Sequence, residues 1–199
     1  TGYKKLDVKF TDLMSETYNK LGYPTNSEKA FTGTGVKTTE ALRAFTQGSL
    51  TETSLKTDVA IDGSGFFRME RPDGSIAYTR NGSFNLDGYG RLTDGRGNLL
   101  FLSFKEGYGY DNVQFTSDNL TVNKNGEVAI KRGEEYHIVA AIPLYSPVGD
   151  NALYSVGESL YQMHEGSQMV MGGAGDILQG YIENSNVDMG EELTDMIIT

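Results

Sequence analysis

Three glycine-containing segments have the residue types and spacing that could do chemistry: Gly63-Ser64-Gly65, Gly172–Gly175 and Asn85–Gly90. A Gly-Ser-Gly turn can cradle a phosphate or present a nucleophile. A dinucleotide fingerprint would need a third Gly where Arg68 stands, and a helix after it, whereas Phe66–Met69 reads as strand. A hydrolase elbow would need Gly two residues before the Ser, and that position is Asp62. Asn85, Asp87 and Gly90 outline a calcium loop, but Tyr89 occupies an acidic ligand position and Arg96 the position of the terminal Glu. Gly172–Gly175 has no Lys-Ser/Thr after it to complete a phosphate loop. All three read better as turns.

The other reactive side chains form no constellation. His137 and His164 lie far apart in sequence and in different contexts. Glu134-Glu135 and Glu191-Glu192 are adjacent pairs, and adjacent side chains point apart on strands and helices, which does not suit paired acid–base work. The 12 Tyr are scattered, as expected of a common strand residue. Asn81-Gly82-Ser83 and Asn119-Leu120-Thr121 match glycosylation acceptors, a pattern frequent by chance. The reading is therefore a non-enzyme, with no catalytic residue, no cofactor and no metal.

Composition narrows the classes further. The 199 residues include no Cys, which removes disulfides, Cys-ligated zinc, iron–sulfur clusters and thiol catalysis. A net charge of −10 argues against nucleic-acid binding. The charge is uneven: residues 1–100 carry 13 basic and 12 acidic side chains, and residues 101–199 carry 4 and 15. No apolar run approaches the ~18 residues of a membrane span, and no signal-peptide pattern opens the chain, so neither membrane insertion nor a cleaved leader is expected.

The elements that would position these residues are mostly strands. From residue 58, apolar runs recur: Val59–Ile61, Phe66–Met69, Ile76–Thr79, Phe84–Leu86, Leu99–Phe104, Leu120–Val122, Val128–Ile130 and Ile138–Tyr145. Between or beside them stand Asp62-Gly63, Asp73-Gly74, Asn81-Gly82, Asp87-Gly88, Asp94-Gly95 and Asn125-Gly126. These dipeptides favour type I′ hairpins, so Gly82 and Gly126 are expected at positive φ. Pro143 should end its strand or place it at an edge. The fold class is mainly β, an antiparallel domain with hairpins. It divides into an extended N-terminal connector (1–57), a β-rich central domain (58–148), a loop-rich return segment (149–183) and the start of a C-terminal α-helix (184–199). Near the N-terminus, Leu6, Val8 and Phe10 alternate like a strand, while Phe10, Leu13, Met14 and Tyr18 fall near helical spacing. Met189, Leu193, Met196 and Ile197 form one apolar helical stripe that runs to Thr199 without a stop signal.

Several ordered segments resemble the flagellar rod and hook proteins of bacteria. They are Thr1–Lys4 (TGYK), Phe45–Thr51 (FTQGSLT), Asp58–Phe67 (DVAIDGSGFF), Arg71–Phe84 (RPDGSIAYTRNGSF), Leu86–Leu92 (LDGYGRL), Leu178–Val187 (LQGYIENSNV) and Glu191–Ile197 (EELTDMI). Within the family the chain is most similar to the distal rod members, with the proximal rod and hook paralogues as alternatives. A carbohydrate-binding or wall-acting β domain is the more distant alternative.

The resemblance implies a subunit that polymerises helically into the drive shaft carrying torque from motor to hook. It implies partners that are further copies, other rod proteins, the hook protein and surrounding rings. It implies a place in the periplasm-spanning rod of the basal body, reached by flagellar type III export without a cleaved signal. It also implies terminal helices outside this chain, which as a trimmed form would be monomeric. Phe10, Leu13, Met189, Leu193, Met196 and Ile197 are then the candidate assembly contacts.

Overall fold

The computed structural model describes residues 47–149 and 152–185 throughout, and before them only the backbone of residues 6–7, 10–11, 37–38 and 42–43. The chain divides into two units, Lys5–Ala44 and Phe45–Thr199 with Thr1–Lys4. In the first, β1 (Leu6–Asp7) pairs antiparallel with β4 (Leu42–Arg43), and β2 (Phe10–Thr11) with β3 (Lys37–Thr38). Phe10 thus follows the alternating pattern and sits in a strand, not a helix. Leu13 lies outside the described residues, as do Met189, Leu193, Met196 and Ile197.

The second unit is built from β5 (Leu50–Glu52), β6 (Val59–Asp62), β7 (Phe66–Glu70), β8 (Ile76–Thr79), β9 (Asn85–Leu86), β10 (Leu92–Thr93), β11 (Leu99–Leu100) and β12 (Ser103–Phe104). It continues through β13 (Leu120–Val122), β14 (Glu127–Arg132), β15 (Glu135–Ala141), β16 (Leu144–Val148), β17 (Leu153–Gly157), β18 (Leu160–Met163), β19 (Gln168–Met171), β20 (Asp176–Gln179) and β21 (Tyr181–Glu183). The mainly β, antiparallel expectation is borne out. The larger sheet runs β17-β18-β8-β7-β11-β10-β9, and β16 joins β7 beside Phe66 and Phe67 while carrying β19 on its other side. A second sheet runs β12-β15-β14-β13. The expected Leu99–Phe104 strand is split between β11 and β12, which lie in different sheets. Pro143 falls in the break between β15, which ends at Ala141, and β16, which begins at Leu144. Residues 149–183 hold five strands, more regular structure than their turn-rich composition suggests.

Period-two alternation explains the core. Phe66 and Phe67 are neighbours on β7 and so point to opposite faces. Phe67 packs with Phe84, ring centroids 5.6 Å apart, in a main core that also takes Met69, Leu92, Leu100, Leu120, Val128, Val139 and Ile177. Phe66 packs on the other face with Tyr78, Leu153 and Tyr161. β7 is therefore covered on both sides at Phe66 and Phe67, which is why it opens with two adjacent apolar residues instead of alternating.

Four of the hairpin loops follow one scheme that is not the two-residue type I′ turn; that turn occurs instead at Glu158-Ser159, φ 58° and 63°, between β17 and β18. In Asp87–Arg91, Asp94–Asn98, Asn123–Glu127 and Arg71–Ser75, the first residue's N–H donates to the last residue's carbonyl, and the fourth is a Gly whose N–H returns to the first. Gly74, Gly90, Gly97 and Gly126 have φ between 74° and 85°. These are three-residue loops with Gly in the left-handed position. Asp87 and Asp94 reinforce theirs: each Oδ1 accepts the backbone N–H groups two and four residues later, at 2.9 Å. Gly126 is at positive φ as expected.

Gly82 is not among the positive-φ glycines, and the expectation of a hairpin there fails. Asn81–Ser83 runs alongside the start of β6: Val59 N–H donates to the Gly82 carbonyl at 2.9 Å, and Asp58 bridges to Ser83. A Cβ at Gly82 would overlap the Val59 carbonyl. Gly is required here for close backbone approach instead of chirality.

Gly82→Ala should lower stability by about 3 kcal/mol, read from urea unfolding of the whole chain. Gly88→Ala, which meets nothing within 4 Å, should be nearly neutral. Equal effects would contradict the close-approach account. A second expectation concerns pH. The Ser75 hydroxyl and N–H hold Asp73 below the usual carboxylate range. At Asp87, burial pushes upward, but the Arg91 N–H and guanidinium and the Tyr89 N–H outweigh it and hold the group low. A carboxylate held low binds its proton less readily when folded. Its contribution is therefore full above the unfolded pKa of about 4 and fades as pH falls through the lower folded value. Replacing both residues by Asn should flatten the acid side of the stability–pH curve.

Candidate functional site

Among the described residues, the earliest strands of the larger unit pair with its latest. β20 pairs with β6 over Asp176–Asp62 to Gln179–Val59, and β21 pairs with β5 over Tyr181–Glu52 to Glu183–Leu50. Gly180, at φ 80°, turns the chain between β20 and β21 and bonds both to Thr53 and to the Asp58 carbonyl.

Under these pairings lies a buried ion pair. Arg80 is 2 % exposed and Glu183 1 %. Arg80 Nε donates to Glu183 Oε2 at 2.7 Å, and Gly48 N–H donates to Glu183 Oε1 at 2.9 Å. The rest of the guanidinium is spent on backbone: Nη1 donates to the Gly65 carbonyl at 2.8 Å, and Nη2 to those of Gly63 at 3.0 Å and Ile61 at 3.3 Å. The Asp62–Gly65 loop thus wraps the arginine. Gly63 and Gly65 take φ of 117° and 133°, aiming their carbonyls at it. Against the loop's outer side lies Gly173–Gly175, where a Cβ at Gly173 would come within 2.9 Å of the Ser64 carbonyl. Gln47 ties the same loop to the N-terminal side, accepting from Gly63 N–H at 2.8 Å and donating to Asp62 at 3.1 Å. Asn184 then joins Ser49 and Thr51.

The two glycine segments first considered for phosphate or nucleophile chemistry are therefore packed on each other, and the adjacent cation is already bonded to protein. The arrangement holds a shape. The calcium-like segment is the Asp87–Arg91 hairpin loop, where Asp87 bonds Arg91 at 2.7 Å. Among the described residues no group of three or more His, Asp or Glu could hold a metal. His137 stands on β15 beside exposed Glu135, and His164 follows β18 against the ring of Tyr154. Glu134 and Glu135 are exposed at the β14–β15 turn. Of the tyrosines, Tyr78 and Tyr161 are core, and Tyr110 is partly buried, which pushes its hydroxyl pKa well up. Of the candidate assembly residues, only Phe10 falls among the described ones, and there only as backbone.

Sequence reasoning missed Arg80, Glu183 and Gln47, although each was inside a segment quoted for the family resemblance. FTQGSLT supplies Gln47 and Gly48, DVAIDGSGFF the three carbonyls, RPDGSIAYTRNGSF the arginine, and LQGYIENSNV the glutamate. Segments distant in sequence meet at one point.

Comparison with known proteins accords with that convergence. Residues 60–130 match the family model described as flagellar hook protein FlgE/F/G D1 domain, and residues 178–199 match flagellar basal body rod FlgEFG protein C-terminal. The class is thus the hook and rod proteins of the flagellum. The flagellar basal-body rod protein FlgG of Buchnera aphidicola subsp. Acyrthosiphon pisum is 36% identical over 100% of this chain and 78% of its own length. FlgG of Borreliella burgdorferi is 32% identical with the same coverage. The flagellar hook protein FlgE of Rhizobium meliloti is 31% identical over 75% of this chain but only 36% of its own length. The chain belongs to the FlgG family of flagellar basal-body rod proteins and is a structural rod subunit, as the distal-rod resemblance implies.

Glu183→Ala leaves a buried guanidinium uncompensated and should cost about 3–5 kcal/mol. The double variant Arg80→Met with Glu183→Leu should recover only part of that loss in urea unfolding, because the Ile61, Gly63 and Gly65 carbonyls and the Gly48 N–H lose their partners. A single-variant loss below about 1 kcal/mol would put the pair at the level of a surface bridge and refute its role as the lock.

Proposed function

We propose that the chain polymerises helically, with one patch of each copy meeting a different patch of the next, into the shaft that carries torque from the flagellar motor to the hook. Contacts of that head-to-tail kind propagate instead of closing. Its neighbours are further copies, other rod proteins, the hook protein and the surrounding rings. Its place is the periplasm-spanning part of the basal body, reached by the flagellar type III route without a cleaved signal peptide. It performs no catalysis, takes no cofactor, binds no nucleic acid and does not insert into membrane. No helix among the described residues is long and apolar enough to cross one.

One observation supports the mechanical reading best. β5 and β21 lie side by side, so the flanking chain leaves the β unit at adjacent points, directly over the Arg80–Glu183 pair. Load passed between the flanks and the β unit meets paired strands and a buried ionic lock at once. Met189, Leu193, Met196 and Ile197 supply the apolar face that joins copies, with Phe10 and Leu13 contributing from the N-terminal segment.

The test is electron microscopy of the chain carried between the terminal segments that FlgG relatives possess beyond the matched region. Filaments are expected, and Leu193→Asp should abolish them without unfolding the β unit. No filaments at high concentration, even with a short seed, would overturn the reading.

A further inference from the structure

Residues 138–175 differ from the rest of the surface. In a chain of net charge −10, this stretch has no Lys or Arg, and its three acids, Asp150, Glu158 and Glu165, all fall between strands. β16, β17, β18 and β19 themselves carry no formal charge. The outermost of them, β19, pairs with β16 alone among the described residues. Its register, Tyr145↔Met171 to Val148↔Gln168, sorts the strand pair into two faces. Val148 and Val170 share one face, Tyr145, Met169 and Met171 the other. Both faces reach solvent: Val148 is 51 % exposed, Val170 48 % and Met171 70 %.

Soluble proteins normally guard such an edge with Lys, Pro or a bulge on the edge strand. β19 has none: Gly166–Gly175 is free of charge and of proline. An open, uncharged, apolar edge calls for a partner, and the charge pattern says which. Two copies at −10 each repel wherever their acidic surfaces meet, and least where neither presents charge. A cationic partner would seek the acidic surface instead. We infer that the β16–β19 strand pair is a contact surface for a second copy of this chain, which docks against the open edge of β19 and the Val148/Val170 face. This rests on the polymer reading above and assigns one of its contacts to a β strand edge, separate from the terminal apolar stripe.

The absence of Cys makes the test clean. Met171→Cys, at an exposed site that tolerates the change, is treated with a maleimide-linked polyethylene glycol in dilute subunit and in filaments. Labelling of the subunit and protection in the filament is the expected result. Equal labelling in both would overturn the inference while leaving the polymer intact. Protection already in the dilute subunit would mean that another part of the same chain covers the edge, and would also overturn it. Failure to form filaments at all would strike the polymer reading itself, and this contact with it. In parallel, Val170→Asp should raise the concentration needed for assembly by about tenfold while leaving the subunit folded. An unchanged assembly threshold would count against the contact.

Discussion

A buried guanidinium sets the terms for this fold. Removing a charge from water is costly, so Arg80 must find a carboxylate and several carbonyl oxygens in one place. Those partners come from the β6–β7 loop and from the last described strand, with Gly48 completing the carboxylate's own shell. Satisfying Arg80 therefore requires β5, β6, β8 and β21 to be in position together. The positive φ of Gly63 and Gly65 and the tight packing of Gly173 and Gly175 follow from the same need, since loops that wrap a side chain so closely have no room for a Cβ.

Glycine serves three distinct purposes here. In the hairpin loops it takes the left-handed position, as at Gly126. At Gly82 it admits a neighbouring backbone. In the Gly63–Gly65 and Gly173–Gly175 seam it does both, aiming carbonyls inward and letting two loops touch. The 25 Gly of the chain are thus in part a packing requirement and not turn residues alone.

The strands were legible because their signal is local. β6, β7, β8, β13 and β14 coincide with apolar runs bounded by turn residues, and the β13–β14 hairpin lies where Asn125-Gly126 places it. Gly82 misled because Asn-Gly is a local turn signal, whereas its conformation is fixed by β6, more than twenty positions away. The split of Leu99–Phe104 between two sheets and the strands within 149–183 were hidden for the same reason: pairing partners decide them, not composition. The Arg80–Glu183 lock spans 103 positions, and no periodicity or spacing rule could connect its members. What the sequence did carry was the family pattern, four of whose segments turn out to be the walls of that lock.

The pairing of early strands with late ones also fixes an order in time. β5 and β6 are among the first strands of the β unit to leave a ribosome or a channel, and their partners β20 and β21 are the last of the described ones. Until Glu183 arrives, Arg80 has no carboxylate to enter the interior with, and β6 lacks its ladder. Pairings of such long sequence separation form late and slowly. In a chain delivered from its N-terminus, the β6–β20 and β5–β21 pairings and the ion pair beneath them are thus completed after the sheets that lie between them in sequence.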